Sequence, residues 1–360
     1  MQNEMQIGQM KLAEKTALLD FLRQAYRENP RMSDERFWDW HFLENPYVEP
    51  DNLPVWIAKS GGRIAGQLAA TPVKLEIGGE TTSAMWILDL IVHDDFRRRG
   101  IARRLVLEAE KFCSVGLGIN TTKQHSTAVL ESLGWQVVGK IPRYSKMLYA
   151  GNVLPEISRI DLLRRGFNLL SAPFRPSFDK SQFGTGDGLR ILENFDSAFE
   201  DLRRAASDER TCRVAREPRF LEWQFIGQPA KKFEIIGYFE KEKLLGYAVV
   251  FVRRADESGS ISKASIADLF YRRENSEKIV DALLGGALEI ASGRGAGSLV
   301  TDATDSLVGE RLLRCGFRQV KSSVQFLVKS NRREDLLCDA QNWFLTRADS
   351  DISIFEQPNF

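Results

Sequence analysis

Two stretches of this chain, RFWDWHFLENP at 36–46 and RFLEWQFIGQP at 219–229, place Arg, Phe, Trp, Phe and Pro in one register. Both are followed by an apolar segment, a charged turn and a glycine: VWIAKSGGRIAG ending at Gly66, and FEIIGYFEKEKLLG ending at Gly246. Further on, ILDLIV (87–92) is echoed by IADLFY (266–271), and LGWQVV (133–138) by CGFRQV (315–320). The offsets for Phe37/Phe220, Gly66/Gly246, Asp89/Asp268 and Gly134/Gly316 are 183, 180, 179 and 182 residues. A repeat this long requires two whole domains of one fold, not a solenoid of short units. A chain of 360 residues has room for both cores.

The same elements recur in each copy. A segment with helical apolar spacing opens it (LAEKTALLDFLRQAYREN; later DSAFEDLRRAASDE). The strands VWIAKS, RIAGQLAATPVKLEI and SAMWILDLIV follow, with Gly61-Gly62 as a hairpin turn. A helix opens at Gly100 (IARRLVLEAEKFC), then come the strand VGLGINTT and the helix STAVLESL, stopped by Gly134 at its C′ position. The strand pair WQVVGKI and YSKMLYA closes the unit. The predicted fold is α+β (α/β), two tandem domains, each a mixed, mostly antiparallel twisted sheet flanked by helices. The first domain takes residues 1–150, the second 189–330, with a linker at 151–188 and a tail at 331–360. Pro155, Pro173, Pro176 and FGTGDG mark the linker. Within it, EISRIDLLRRGFNLL reads as an amphipathic helix with Arg159, Arg164 and Arg165 on its polar side. That helix packs across the domains or docks on a membrane surface.

Composition excludes several classes. Fifty basic against 49 acidic residues lack the excess that nucleic-acid binding exploits. The N-terminus has no apolar signal region, and no apolar run reaches membrane-spanning length. Cys113, Cys212, Cys315 and Cys338 are far apart, and three histidines (His41, His93, His125) form no zinc pattern. The expected location is the cytoplasm, and no metal is expected.

Against that neutral background, LIVHDDFRRRGIARRL at 90–105 concentrates positive charge between a strand and a helix. Such a run is either a solvated patch or an anion site. The first N–H groups of a helix lack internal partners and lie at the positive end of its dipole, so anions bind there. Gly100 allows close approach, and the arginines add charge-assisted contacts.

Arg97-Arg98-Arg99-Gly100-Ile101-Ala102 resembles the (R/Q)-x-x-G-x-(G/A) signature of the GNAT acetyltransferase superfamily. VHDDFR is similar to that family's V-x-P-x-[YF]-R lead-in, with Asp94 for proline, and AVLESLGWQVV to its closing GF element. The resemblance implies that Arg97 and the amides of Arg98, Arg99, Gly100, Ile101 and Ala102 hold the pyrophosphate of acetyl-CoA or another acyl-CoA. The pantetheine arm would run between strands 86–92 and 116–121, with backbone groups of Leu90, Ile91 and Val92 at the thioester carbonyl. Asn120 and His125 are further implied cofactor contacts, although His125 also reads as a neighbour of a helix cap. In the second copy the loop is RRENSEKIVDALL, where Glu274-Asn275-Ser276 replace the glycine. Glu274 and Glu277 should repel a pyrophosphate, so that copy is expected to shape the acceptor pocket instead.

Acyl transfer to an amine needs a neutral amine, oxyanion stabilisation and thiolate departure; thiols ionise near pH ~8.5, so an acid helps without being essential. Asp89 and His93 are the candidate bases. Asp89 also fits a structural role, since Asp268 repeats it, and His93 also fits a solvated strand exit. Family members carry a tyrosine four residues before the glycine of the GF element. That position is Leu130, which leaves Tyr144 as the candidate acid. The Trp and Phe residues of the repeated RF motif read as a domain-core or entry-helix feature, with an acceptor-binding stack as the alternative. The tail QNWFLTRADSDISIF resembles tails of tandem family members from bacterial surface-sugar pathways; it joins aromatics to Arg347, Asp349 and Asp351, and its acidic residues fit amine binding, or the tail a solvated terminus. The expected function is N-acyl transfer to a small-molecule amine such as an amino sugar. The alternatives are a non-catalytic acyl-CoA sensor and a FemAB-like aminoacyl transferase.

Overall fold

The computed structural model describes residues 5–27, 30–121, 125–152, 165, 169, 188–206, 212–229, 232–253, 262–322, 324–330 and 334–349. The first repeat contains β1 (Gln6–Gln9), α1 (Lys15–Ala25), α2 (Glu35–Phe42), β2 (Val55–Ser60), β3 (Arg63–Ile77), β4 (Glu80–Val92), α3 (Ile101–Ala109), β5 (Val115–Thr121), α4 (His125–Ser132), β6 (Gln136–Lys140) and β7 (Arg143–Met147). The second contains β8 (Gly188–Leu192), α5 (Ser197–Ala205), β9 (Cys212–Val214), α6 (Pro218–Leu221), β10 (Phe233–Glu240), β11 (Lys243–Arg253), β12 (Lys263–Tyr271), α7 (Ser276–Gly293), β13 (Ser298–Asp302), α8 (Ser306–Arg314), β14 (Arg318–Val320) and β15 (Val324–Ser330). A short α9 (Glu334–Leu337) leads into the tail.

The two sheets run β1-β2-β3-β4-β5-β15-β6 and β8-β10-β11-β12-β13-β7-β14, with β9 added to β3. Position by position the orders are the same. Each sheet has one parallel pair, β4–β5 and β12–β13, flanked by antiparallel pairs. The mixed α+β architecture and its duplication are therefore as expected from the repeat.

The closing hairpin is not. β7 lies between β13 and β14 of the second sheet, and β15 lies between β5 and β6 of the first. Only Ile141-Pro142 separates β6 from β7. A two-residue hairpin needs positive φ, whereas proline fixes φ near −65° and holds the preceding residue extended. The chain therefore continues straight into the other sheet. The boundaries drawn at 150 and 330 cut across this exchange, since each sheet is completed by a strand from the other repeat.

Reciprocal contacts fix the exchange. From β15, Lys329 Nζ donates to the carbonyl of Leu133 at the end of α4; from β7, Lys146 Nζ donates to that of Cys315 at the end of α8. Each helix is followed by a left-handed glycine, Gly134 (φ 85°) and Gly316 (φ 81°). At the junction of the repeats, Trp40 and Trp223 stack with centroids 4.9 Å apart. Each indole Nε1 donates to the other's backbone carbonyl, at 2.9 and 2.8 Å. The repeated RF motif is thus an inter-unit core. Buried Glu76 on β3 adds an ion pair to Arg203 of α5 and another to Arg213 of β9.

In the first unit, α3 and α4 cover one face of the sheet, burying Ile101, Leu105, Val106, Ala109, Leu130 and Trp135 against it. Helices α1 and α2 cover the other, with Leu18, Phe21, Leu22 and Trp38 packed on Ala69 and Leu88.

Candidate functional site

β4 and β5 pair in parallel only from Ala84–Val115 to Ile87–Gly118. Beyond that point β5 continues along β15 and β4 along β3, so the two strands part. Glycines keep β5 thin here: a Cβ on Gly116 would lie 2.5 Å from the Trp135 ring. β4 also carries a bulge. Leu88 pairs with Ala69 and Ile91 with Gln67, which leaves Asp89 and Leu90 opposite Leu68. Asp89 is held at φ +52°, a conformation that costs an ordinary residue energy and re-aims its side chain. Leu90 and Val92 pack toward α3. Asp89 faces the end of α1, where the Tyr26 hydroxyl donates to its Oδ1 at 3.3 Å.

The turn after β4 is folded by its own charges. Arg97 pairs with Asp94 at 2.7 Å, and Arg99 donates to the Asp95 carbonyl at 2.9 Å with its guanidinium 5.2 Å from the Phe96 ring centroid. Arg98 makes no ion pair among the described residues, and its backbone is left-handed (φ 61°), as is Gly100 (φ 72°) at the start of α3. Among the described residues, no oxygen accepts from the backbone N–H groups of Arg98 to Ala102. These amides, together with the end of the helix dipole, form a cationic cradle at the mouth of the β4–β5 split. A Cβ on Gly100 would meet no atom within 4 Å, so the glycine serves the positive φ and leaves the cradle open.

His93 sits at the start of this turn, its Nδ1 accepting from the Asp95 N–H at 3.2 Å. That bond assigns the neutral ring's proton to Nε2, which makes the outward nitrogen a donor rather than a base. Leu90, Ile91 and Val92 lie on β4 beside the split. The backbone of Asn120 is in β5 and that of His125 opens α4; both side chains lie outside the described residues. The linker segment with Arg159 and Arg164 also lies outside them.

Tyr144 is not in this site. It lies on β7, paired with Thr301 and Gln319 in the second sheet, and is buried in the second unit's core. Its hydroxyl lies against Gly309 of α8, where a Cβ would come within 2.6 Å of it. Burial raises its pKa, which keeps the phenol neutral. The exchange of β7 carried this residue away from the first unit.

The second unit has the same split, since β12 and β13 pair only from Lys263–Ser298 to Ser265–Val300. Here the tail fills it. Thr346 bridges to Ala303 beyond β13, and its Oγ1 donates to Asp268 of β12 at 2.8 Å. Phe344 packs on Phe270 and Tyr271. Buried Arg347 pairs with Asp302, and Asp349 with Arg216 at 2.8 Å. Arg347 and Asp349 are therefore neither solvated nor placed to take an amine; Asp351 lies outside the described residues. The loop before α7 is also shortened, with residues 272–275 replacing the longer 93–100 turn and Asn275 (φ 56°) in the glycine's place.

Sequence reasoning passed over two features, the tail's insertion and the role of Tyr26. The repeat held a clue to the first: WFLTRAD has no counterpart in the first copy, yet joins apolar residues to charges that need buried partners.

Among the described residues there is no cluster able to hold a metal ion, and no helix long and apolar enough to cross a membrane. Residues 6–138 match the family model described as an acetyltransferase (GNAT) domain. No curated protein matches the chain. Among solved structures it is similar to a conserved protein of Enterococcus faecalis described as a probable N-acyltransferase, with TM-score 0.60, 12% identity, and coverage of 94% of this chain and 74% of that one. It is also similar to Saccharomyces cerevisiae N-myristoyltransferase with bound myristoyl-CoA, with TM-score 0.60, 12% identity, and coverage of 90% and 82%. A GCN5-related N-acetyltransferase from Anabaena variabilis gives TM-score 0.57 at 13% identity, covering 91% and 72%. At these identities the likeness is one of fold.

Proposed function

We propose that the protein is an acyl-CoA-dependent N-acyltransferase whose cofactor site is in the first unit alone. The observation that carries this reading is the row of unpartnered amides from Arg98 to Ala102 at the mouth of the β4–β5 split. A diphosphate is the anion such a row fits, and the split beside it suits an extended arm. The pantetheine would lie along β4, whose N–H groups pointing away from β3 lack β5 as a neighbour beyond Ile87. Those N–H groups would hold the thioester carbonyl and stabilise the oxyanion as the amine attacks.

The amine approaches from the α1 side, because α3 packs over Leu90 and Val92 on the other. Asp89 is the carboxylate on that side and takes the proton in this reading. His93 stays a cap of the turn. The thiolate departs without Tyr144, consistent with a thiol's ordinary acidity. The acceptor class is a primary amine of a small molecule, with amino sugars among the first to test and acetyl-CoA as the first donor.

The test is calorimetric titration of CoA and acetyl-CoA into the wild type and Gly100→Glu. The new carboxylate would compete for the cradle from open space, so binding should be lost, while the protein keeps a single cooperative thermal transition, lowered by the strain of a side chain at positive φ. Absence of binding in the wild type would sink the reading.

A further inference from the structure

The split between β4 and β5 ends in a floor that rings close on both faces of the sheet. The last pair joining the two strands is Ile87 with Gly118. Ile87 and Ile119 are half-buried, whereas Ala84, Met85 and Trp86 of β4 and Val115, Gly116 and Leu117 of β5 are buried. An arm that enters between the strands can pass that pair only by turning to one face. Strand alternation puts Met85 and Ile87 in the core under α3 and α4, and Trp86 and Leu117 in the core on the opposite face. On the first face the six-membered ring of Trp135 covers the glycines: a Cβ on Gly116 would lie 2.5 Å from it and one on Gly118 3.6 Å. On the second, Trp86 packs against Phe326 with ring centroids 5.7 Å apart.

Trp135 is 3% exposed and anchored at its polar edge. Its Nε1 donates to Glu110 Oε1 at 2.8 Å, just past the end of α3, and Glu110 Oε2 pairs with Lys329 at 3.2 Å. These contacts fix where the apolar edge of the indole rests. The duplication shows that this arrangement is not the only way to fill the space. The second unit has Phe317 in the place of Trp135, and Leu299 and Thr301 in the places of Gly116 and Gly118. There the strand supplies its own side chains, and Thr301 Oγ1 donates to the Ile266 carbonyl at 3.0 Å. The first unit instead bares β5 and covers it with one ring from outside, so a single side chain sets the depth of its split on that face.

We propose that Trp135 limits the length of the acyl group that the donor carries. Short acyl groups end at the Ile87–Gly118 pair, and longer ones run into the indole. Leu130, Leu133 and Leu327 share a core with the ring. A smaller residue at 135 would therefore open an apolar hole beside α4, the kind of cavity that stays dry and takes apolar ligands. The inference rests on the acyltransferase reading, and the experiment separates the two.

Affinities of CoA, acetyl-CoA and octanoyl-CoA for the full chain are measured by calorimetry, with melting temperatures alongside. The wild type should bind octanoyl-CoA at least tenfold more weakly than acetyl-CoA. In Trp135→Leu that gap should close to within threefold, while CoA and acetyl-CoA keep their affinities within threefold. Octanoyl-CoA should also raise the melting temperature of this variant more than acetyl-CoA does, because its chain fills the hole that the indole leaves. Trp135→Phe installs the ring that the second unit has at this place; it should narrow the gap at least threefold and decides the matter if the leucine variant does not fold. Octanoyl-CoA bound by the wild type as tightly as acetyl-CoA would overturn the assignment, as would a tenfold gap that survives in the folded variants. Failure of CoA and acetyl-CoA alike to bind the wild type would instead overturn the acyltransferase reading.

Discussion

The exchange of β7 and β15 makes a strong claim about folding, which can be tested by cutting the chain. Separate residues 1–152 from residues 188–360. The first fragment then keeps β4, β5 and the cradle but loses β15, which enters its sheet between β5 and β6. β15 brings Val324, Phe326, Leu327 and Val328 into the cores, at 6%, 3%, 0% and 1% exposure. At about 1.5–3 kcal/mol per buried apolar side chain, their loss removes roughly 6–12 kcal/mol. A whole domain is stable by only about 5–15 kcal/mol. The loss also leaves facing edges of β5 and β6 unpaired and strands β7 without its sheet. Expressed alone, the fragment should show no cooperative melt by circular dichroism and should not bind CoA. Expressed together, the two fragments should co-purify and melt as one species. A cooperative transition from residues 1–152 alone would refute the reasoning, because it would mean that the fragment closes its own sheet.

Other outcomes follow from the buried groups. Burial lowers the pKa of His41 from its ordinary 6.5 to about 3, so between those values the unfolded chain holds a proton that the folded one does not. Stability should therefore fall as the pH drops from about 6.5 toward 3, by up to about 1.4 kcal/mol per unit. His41→Gln, which installs the residue that the second repeat has at position 224, should flatten that slope in denaturant titrations run across the range. Tyr144→Phe should leave kcat and the pH profile within twofold of wild type; a tenfold loss of kcat would return the tyrosine to the chemistry. Arg216→Met strands the buried carboxylates of Asp268 and Asp349 and should cost about 3–5 kcal/mol in a chemical melt, while CoA titrates the folded protein normally.

Much of the scaffold was legible in the sequence because it is locally encoded. VWIAKS and RIAGQLAATPVKLEI coincide with β2 and β3, and the Gly61-Gly62 turn sits at φ 58° and 77° as a tight hairpin requires. The cradle was legible for the same reason, since a strand, a glycine with positive φ and a helix start are consecutive in the chain. The partner of β7 was not. Its alternation fits either sheet equally well, and only Pro142 argues against turning back. Nor was the fate of the tail. The tail carrying Arg347 and Asp349 read as amine-binding or solvated until Asp302 and Arg216, distant in sequence, are found beside them.

The central claim is one acyl-CoA per chain, held by the first unit on open amides and refused by the second. Hydrogen exchange with and without CoA reads this directly. Slowed exchange at Arg98 to Ala102, with Arg273 to Ser276 unchanged, is the predicted result. Protection at the second loop, or none at the first, would contradict it.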